Sequence, residues 1–201
     1  MSKYNAKQSS NGDFKWTNGV DVVGGVGTAP ASGSYEIVEH QFGPFIRTDI
    51  TFRACRVSVT DGAASGSYGT LQVYAFPQSA VTFLGSRQNY TAFAEGAALT
   101  GAAGDAAFEI GFGTTAISAA ADGTLGNGAQ ENVGQAVSVT LSGGTGTGTA
   151  VDGCKTTALN GTASALGLHL NWSGTAATID ANSTIDVTGT LSFLWCHMGD
   201  D

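Results

Sequence analysis

The chain has 201 residues, of which 12% are charged and 42% hydrophobic, with 30 glycines and a formal net charge of −8. That length allows one large or two small domains with a sizeable core, and the composition excludes both a collagen-like chain and a disordered polyampholyte. Residues 91–201 set a single cation, Lys155, against ten carboxylates, so this half offers no basic surface for phosphates and nucleic-acid binding is not expected.

Residues 1–15 are polar, carry Lys3, Lys7 and Lys15, and lack the apolar stretch of a secretory signal. They are read as a flexible N-terminal arm, either frayed or ordered on a neighbouring subunit. The remainder, 16–201, is read as one domain. Residues 16–34 combine turn signals with a short apolar run that suits an edge strand. In 44–60, PFIRTDITFRACRVSVT, Ile46, Ile50, Phe52 and Ala54 share one parity, whereas Val57 and Val59 take the other. A flat strand would expose one of these sets, so a β-bulge is expected around Cys55–Arg56. Arg47 and Arg53 share a face of this strand, either solvated or available to an acidic partner.

Strands follow at 70–76 and 80–88, and Leu71 and Val73 oppose Tyr74 and Phe76, as in a strand covered on both sides. The Ala/Gly-rich stretch 91–105 admits a short helix at 92–99, which its glycines weaken. In 106–113 alternation returns, with Phe108, Ile110 and Phe112 inward and Glu109 outward. After the turn-rich stretch 114–135, Val137, Val139 and Leu141 form another inward row in 136–141. Residues 143–153, GGTGTGTAVDG, read as a low-complexity loop or hairpin tip. Leu166, Leu168, Leu170 and Trp172 line one face of 165–172. The final strand, 184–195, buries Ile185, Val187, Leu191, Phe193 and Trp195. Strands at these intervals, without helical periodicity, predict an all-β antiparallel sandwich with long glycine-rich loops.

Catalytic chemistry finds little footing. His40, His169 and His197 show no metal-ligand spacing and read as surface histidines. Cys196 and His197 are adjacent on a strand and point to opposite faces, which argues against a thiolate–imidazole pair. Cys55, Cys154 and Cys196 form no C-x-x-C pair and read as free thiols of a reducing cytoplasm. The glycine-rich segments lack a dinucleotide or phosphate-loop fingerprint. Asp61-Gly62, Asp122-Gly123 and Asp152-Gly153 read as tight turns, with no sequence-local set of calcium ligands. No run of about 18 apolar residues is present to span a membrane as a helix. Trp172 and Trp195 read as core, whereas Trp16, Tyr68 and Tyr90 lie near turns where they could stack on sugars. No cofactor, metal or catalytic residue is assigned, and the chain is not expected to be an enzyme.

The phrases KWTNGVDVVGG, RVSVTDGAASGSYGTLQVYAFP, NYTAFAEGAALTGAAGDAAFEIGFGTTAISAAADGTLGNGAQENVG and LNWSGTAATIDANSTIDVTGTLSFLW resemble virion structural proteins of tailed bacteriophages. Within that group the chain is most similar to capsid decoration (cement) proteins. The resemblance implies a β-sandwich or jelly-roll-like homo-oligomer, often a trimer, on the outer surface of the major capsid protein lattice. It carries no catalytic signature. The residues offered to a partner are Lys3, Lys7, Lys15, Arg47 and Arg53. The alternative is a head-fibre or tail module that recognises host surface glycans.

Overall fold

The computed structural model describes residues 5–9, 14–17, 24–42, 44–62, 66–95, 105–119, 125, 128–142, 145–152, 157–174 and 181–198. Thirteen strands lie within them: β1 (Asn5–Ser9), β2 (Phe14–Thr17), β3 (Gly25–Val26), β4 (Ser34–Phe42), β5 (Phe45–Asp61), β6 (Ser67–Ala75) and β7 (Ala80–Glu95) in the first half. The second half supplies β8 (Asp105–Gly113), β9 (Gly134–Ser142), β10 (Thr145–Asp152), β11 (Thr157–Asn160), β12 (Gly167–Gly174) and β13 (Ser183–His197).

Eight of these strands pair as one long hairpin rolled on itself. Its nested antiparallel pairs are β5 with β13, β6 with β12, β7 with β10 and β8 with β9. Rolling sets β13 beside β7 and β8 beside β12. Two sheets result, β5-β13-β7-β10 and β9-β8-β12-β6, which is jelly-roll order. They meet at short corners, where Val59–Asp61 bonds to Ser67–Gly69 and Thr145 to Ser142. Sheet one continues beyond β5 through β4, β1 and β2, whereas β3 lies on the free edge of β6.

Alternation puts the apolar rows between the sheets, and aromatic pairs bridge the gap. Phe52 of sheet one stacks on Phe112 of sheet two at 5.8 Å, and Phe93 meets Phe108 edge-on at 5.6 Å. At the other end Tyr74 of β6 meets Phe193 and Trp195 of β13 edge-on. Trp172 and Trp195 are fully buried, as their parity predicts.

The parity switch in β5 falls at Arg53–Ala54, both exposed, after which Cys55, Val57 and Val59 are buried. The register jumps there: Val187 opposes Cys55, and Gly189 opposes Phe52. Ala54 adopts φ +47°, and its N–H donates to Thr188 Oγ1 at 3.0 Å. The bulge therefore exists, one to two residues earlier than the sequence suggests. Gly33 fits against it at φ +71°, where a Cβ would lie 1.9 Å from the Ala54 carbonyl oxygen.

Three expectations change. Residues 92–95 continue β7 and are not helical, because β13 and β10 flank them with backbone partners. Residues 145–152 form β10, a strand with few apolar side chains, held by its ladder to β7. Strand β4 was not anticipated; Glu39 interrupts its inward apolar row of Tyr35 and Ile37. Within the segment read as an arm, β1 pairs with β4, and β2 pairs with β1.

The described parts of the stretch after β8, residues 114–119 and 128–133, pack over the outer face of sheet two. Asn171, buried on β12, holds them: its amide donates to the Thr115 and Gln130 carbonyls, and its oxygen accepts from the Ile117 N–H. Gly113 lets this cover lie flush, since a Cβ there would sit 2.2 Å from the Gln130 carbonyl carbon.

Candidate functional site

With one face of each sheet committed to the core and sheet two overlain by 114–119 and 128–133, the outer face of sheet one is the candidate surface among the described residues. Cross-strand register assigns its residues. One row runs Arg87, Ser192, Asp49, Val38, Lys7, Lys15 across β7, β13, β5, β4, β1 and β2. The next runs Gly85, Leu194, Arg47, His40. Six of the chain's eight Lys and Arg residues lie on strands of this sheet. The strands of sheet two and the segment 114–133 contain none, while they include Asp105, Glu109, Asp122 and Glu131. The strands of sheet one also carry seven carboxylates, so the asymmetry lies in the placement of the strand cations, all on sheet one, and not in a net positive sheet.

Three of the arginines are paired along the sheet. Arg56 makes a two-pronged contact with Asp186, directly opposite, at 2.7 and 2.8 Å. Arg53 reaches Glu36 diagonally at 3.0 Å, and Arg47 reaches Asp49 at 3.0 Å, with His40 3.5 Å from the same carboxylate. The Arg47 and Arg53 pairs are exposed and contribute little stability, whereas the two-pronged Arg56–Asp186 pair is part-buried. Arg87 is exposed and has no ion pair among the described residues. It borders a shallow depression lined by Gly85, Arg47, Ser192 and Leu194.

The exposed large hydrophobic residues gather at one end of this face. Phe42 is 64% exposed, Phe45 44%, Met198 59% and Leu194 37%. Phe42 and Phe45 are opposed across the turn joining β4 to β5, and Phe45 is opposite Cys196. The Cys196 sulfur lies 3.8 Å from that of Met198. Apolar groups in one exposed strip, flanked by cations, mark a contact surface. Of the residues read as partner-binding, Arg47 and Arg53 sit on this face. Lys7 and Lys15 occupy its row by register, and Lys3 lies outside the described residues.

Sequence reasoning missed Phe42, Phe45, Arg87, Leu194 and Met198. Two signals were available: Leu194 is apolar on the wet parity of β13, and Phe42 and Phe45 flank the turn dipeptide Gly43-Pro44. Tyr90 is corrected. It is 2% exposed, inside the core, with its hydroxyl donating to Gln88 at 2.6 Å, so it cannot stack on a sugar. Burial holds the His169 imidazole below its ordinary pKa. Cys55 and Cys196 are free thiols, and Cys154, Trp16 and Asp122 lie outside what is described of side chains. Among the described residues no group of three or more His, Cys, Asp or Glu could hold a metal ion, and no helix is long and apolar enough to cross a membrane. Compared with protein-family models, curated proteins and solved structures, the chain finds no match.

Proposed function

We propose that the chain is a capsid decoration protein of a tailed bacteriophage. It is made in the host cytoplasm and binds, as a homo-oligomer, the outer surface of the major capsid protein lattice to stabilise the head. The observation that carries this reading is the outer face of sheet one, with four exposed large hydrophobic residues beside Arg47 and Arg87. A rigid two-layer sandwich presenting one sticky face suits a clamp between fixed subunits, and repeated contacts multiply a modest affinity by avidity. The jelly roll is shared by viral capsid domains, lectins and cupins. Fold alone therefore assigns no function, and the reading rests on the face together with the sequence resemblance. The action is contact, with no bond made or broken and no cofactor.

Counting copies per particle by quantitative mass spectrometry tests it. Hundreds of copies, and shells that withstand more heat after purified protein is added, are expected. A dozen copies or fewer would transfer the chain to a tail or vertex, and a virion without it would overturn the reading.

A further inference from the structure

We propose that the apolar and cationic end of sheet one docks a second copy of this chain, which presents its acidic sheet-two side. The inference rests on and deepens the homo-oligomer part of the reading above: it gives the apolar end of the face to a neighbouring copy and leaves the rest of the outer face of sheet one, around Arg53, to the shell.

Three observations converge. Phe42, Phe45, Leu194 and Met198 form an uncovered strip at the end of β4, β5 and β13. Arg87 stands beside it without an ion pair among the described residues, across the Gly85 depression from Arg47. The complementary charge belongs to the same chain, because the described part of the sheet-two side carries Glu109 and Glu131, and neither its strands nor 114–133 contain Lys or Arg. Joining two copies of this end face to face would bring Arg47 and Arg87 of both together, at an electrostatic cost. Setting sheet one of one copy on the sheet-two side of the next pairs opposite potentials and covers the apolar strip. That contact is heterologous, so it closes into a ring where the rotation permits and otherwise extends.

The test uses the full chain and two double variants. Arg87→Glu with Leu194→Asp disables the docking face without touching a pairing of the fold. Ala119→Lys with Gly128→Lys adds cations to the opposite side at two exposed positions, and the space around Gly128 is open. Unchanged thermal midpoints establish that both variants fold. By sedimentation velocity the native chain should associate, with affinity falling about tenfold or more from roughly 50 to 500 mM salt. Each variant alone should remain monomeric. An equimolar mixture should form a dimer and stop, since only one intact face and one intact back can meet.

A monomeric native chain overturns the proposal, as does a lysine variant that assembles like the native protein, or a mixture that stays monomeric. Shell binding by a monomeric native chain would leave lattice binding standing and remove the homo-oligomer part of the reading together with this contact.

Discussion

At the scale of single residues, the least expected feature is a carboxylate inside the sandwich. Glu39 is 5% exposed on the inner face of β4. It accepts hydrogen bonds from the Tyr74 hydroxyl and, at 3.4 Å, from Thr48, which itself accepts from Trp195 Nε1 at 2.9 Å. Burial and the adjacent carboxylate hold the Tyr74 phenol well above its ordinary pKa, so it donates throughout the neutral range. The chain ties the extension strand β4 to sheet two and to β13. Tyr74→Phe removes the donor and leaves the carboxylate in place, and it should cost about 1–3 kcal/mol, the penalty of an under-satisfied buried group. Glu39→Gln in that background should recover part of the loss, because it removes the charge that needs the donor. Urea unfolding of the four members of the cycle measures this. Additive effects would mean that the two side chains are not energetically coupled.

At the scale of elements, the strands with regular alternation were legible from the sequence: β5, β8, β9, β12 and β13 each carry an inward apolar row. The switch in β5 was legible as well, since Ile50 and Val57 cannot face one core on a flat strand. Strand β10 was not, because TGTGTAVD offers few apolar side chains and its conformation is set by β7. The binding face was half legible. Arg47 and Arg53 announce a cationic strand face, whereas the convergence of Phe42, Leu194 and Met198 depends on the roll that brings β4, β5 and β13 together.

The cover over sheet two is a tertiary feature of the same kind. Its anchor, Asn171, reads in sequence as an outward polar residue. Replacing it with Ala strands the Thr115 and Gln130 carbonyls and the Ile117 N–H. Asn171→Ala should lower stability by about 2–4 kcal/mol, from several buried bonds lost together. Amide hydrogen exchange should accelerate first at Ile117 and its neighbours, ahead of β13. Uniform acceleration across both sheets would mean that the cover and the sandwich open as one unit.

At the scale of the whole molecule, the interior holds acids that ionise only with difficulty. Burial, helped by the nearby Asp186 charge, pushes the Cys55 thiol from 9.0 up to about 12. Burial also raises the phenols of Tyr35, Tyr74 and Tyr90. In the unfolded chain the thiol releases its proton near pH 9 and the phenols near 10, while the folded protein keeps them. Across that window the native state binds more protons than the unfolded state, so stability decreases as pH rises. The stabilisation is fully present below about pH 8 to 8.5 and is lost on the way to pH 12, at about 1.4 kcal/mol per pH unit for each group that has titrated only in the unfolded chain. Denaturant midpoints should therefore be flat up to about pH 8.5 and then fall with a slope that steepens once the phenols join the thiol. Cys55→Ala starts from a lower stability because it opens a cavity, yet its decline should begin nearer pH 10, with one proton fewer in the slope. An unchanged onset in that variant would show that Cys55 ionises as readily in the folded protein as in the unfolded chain, and that the core between the sheets is wetter than its packing implies.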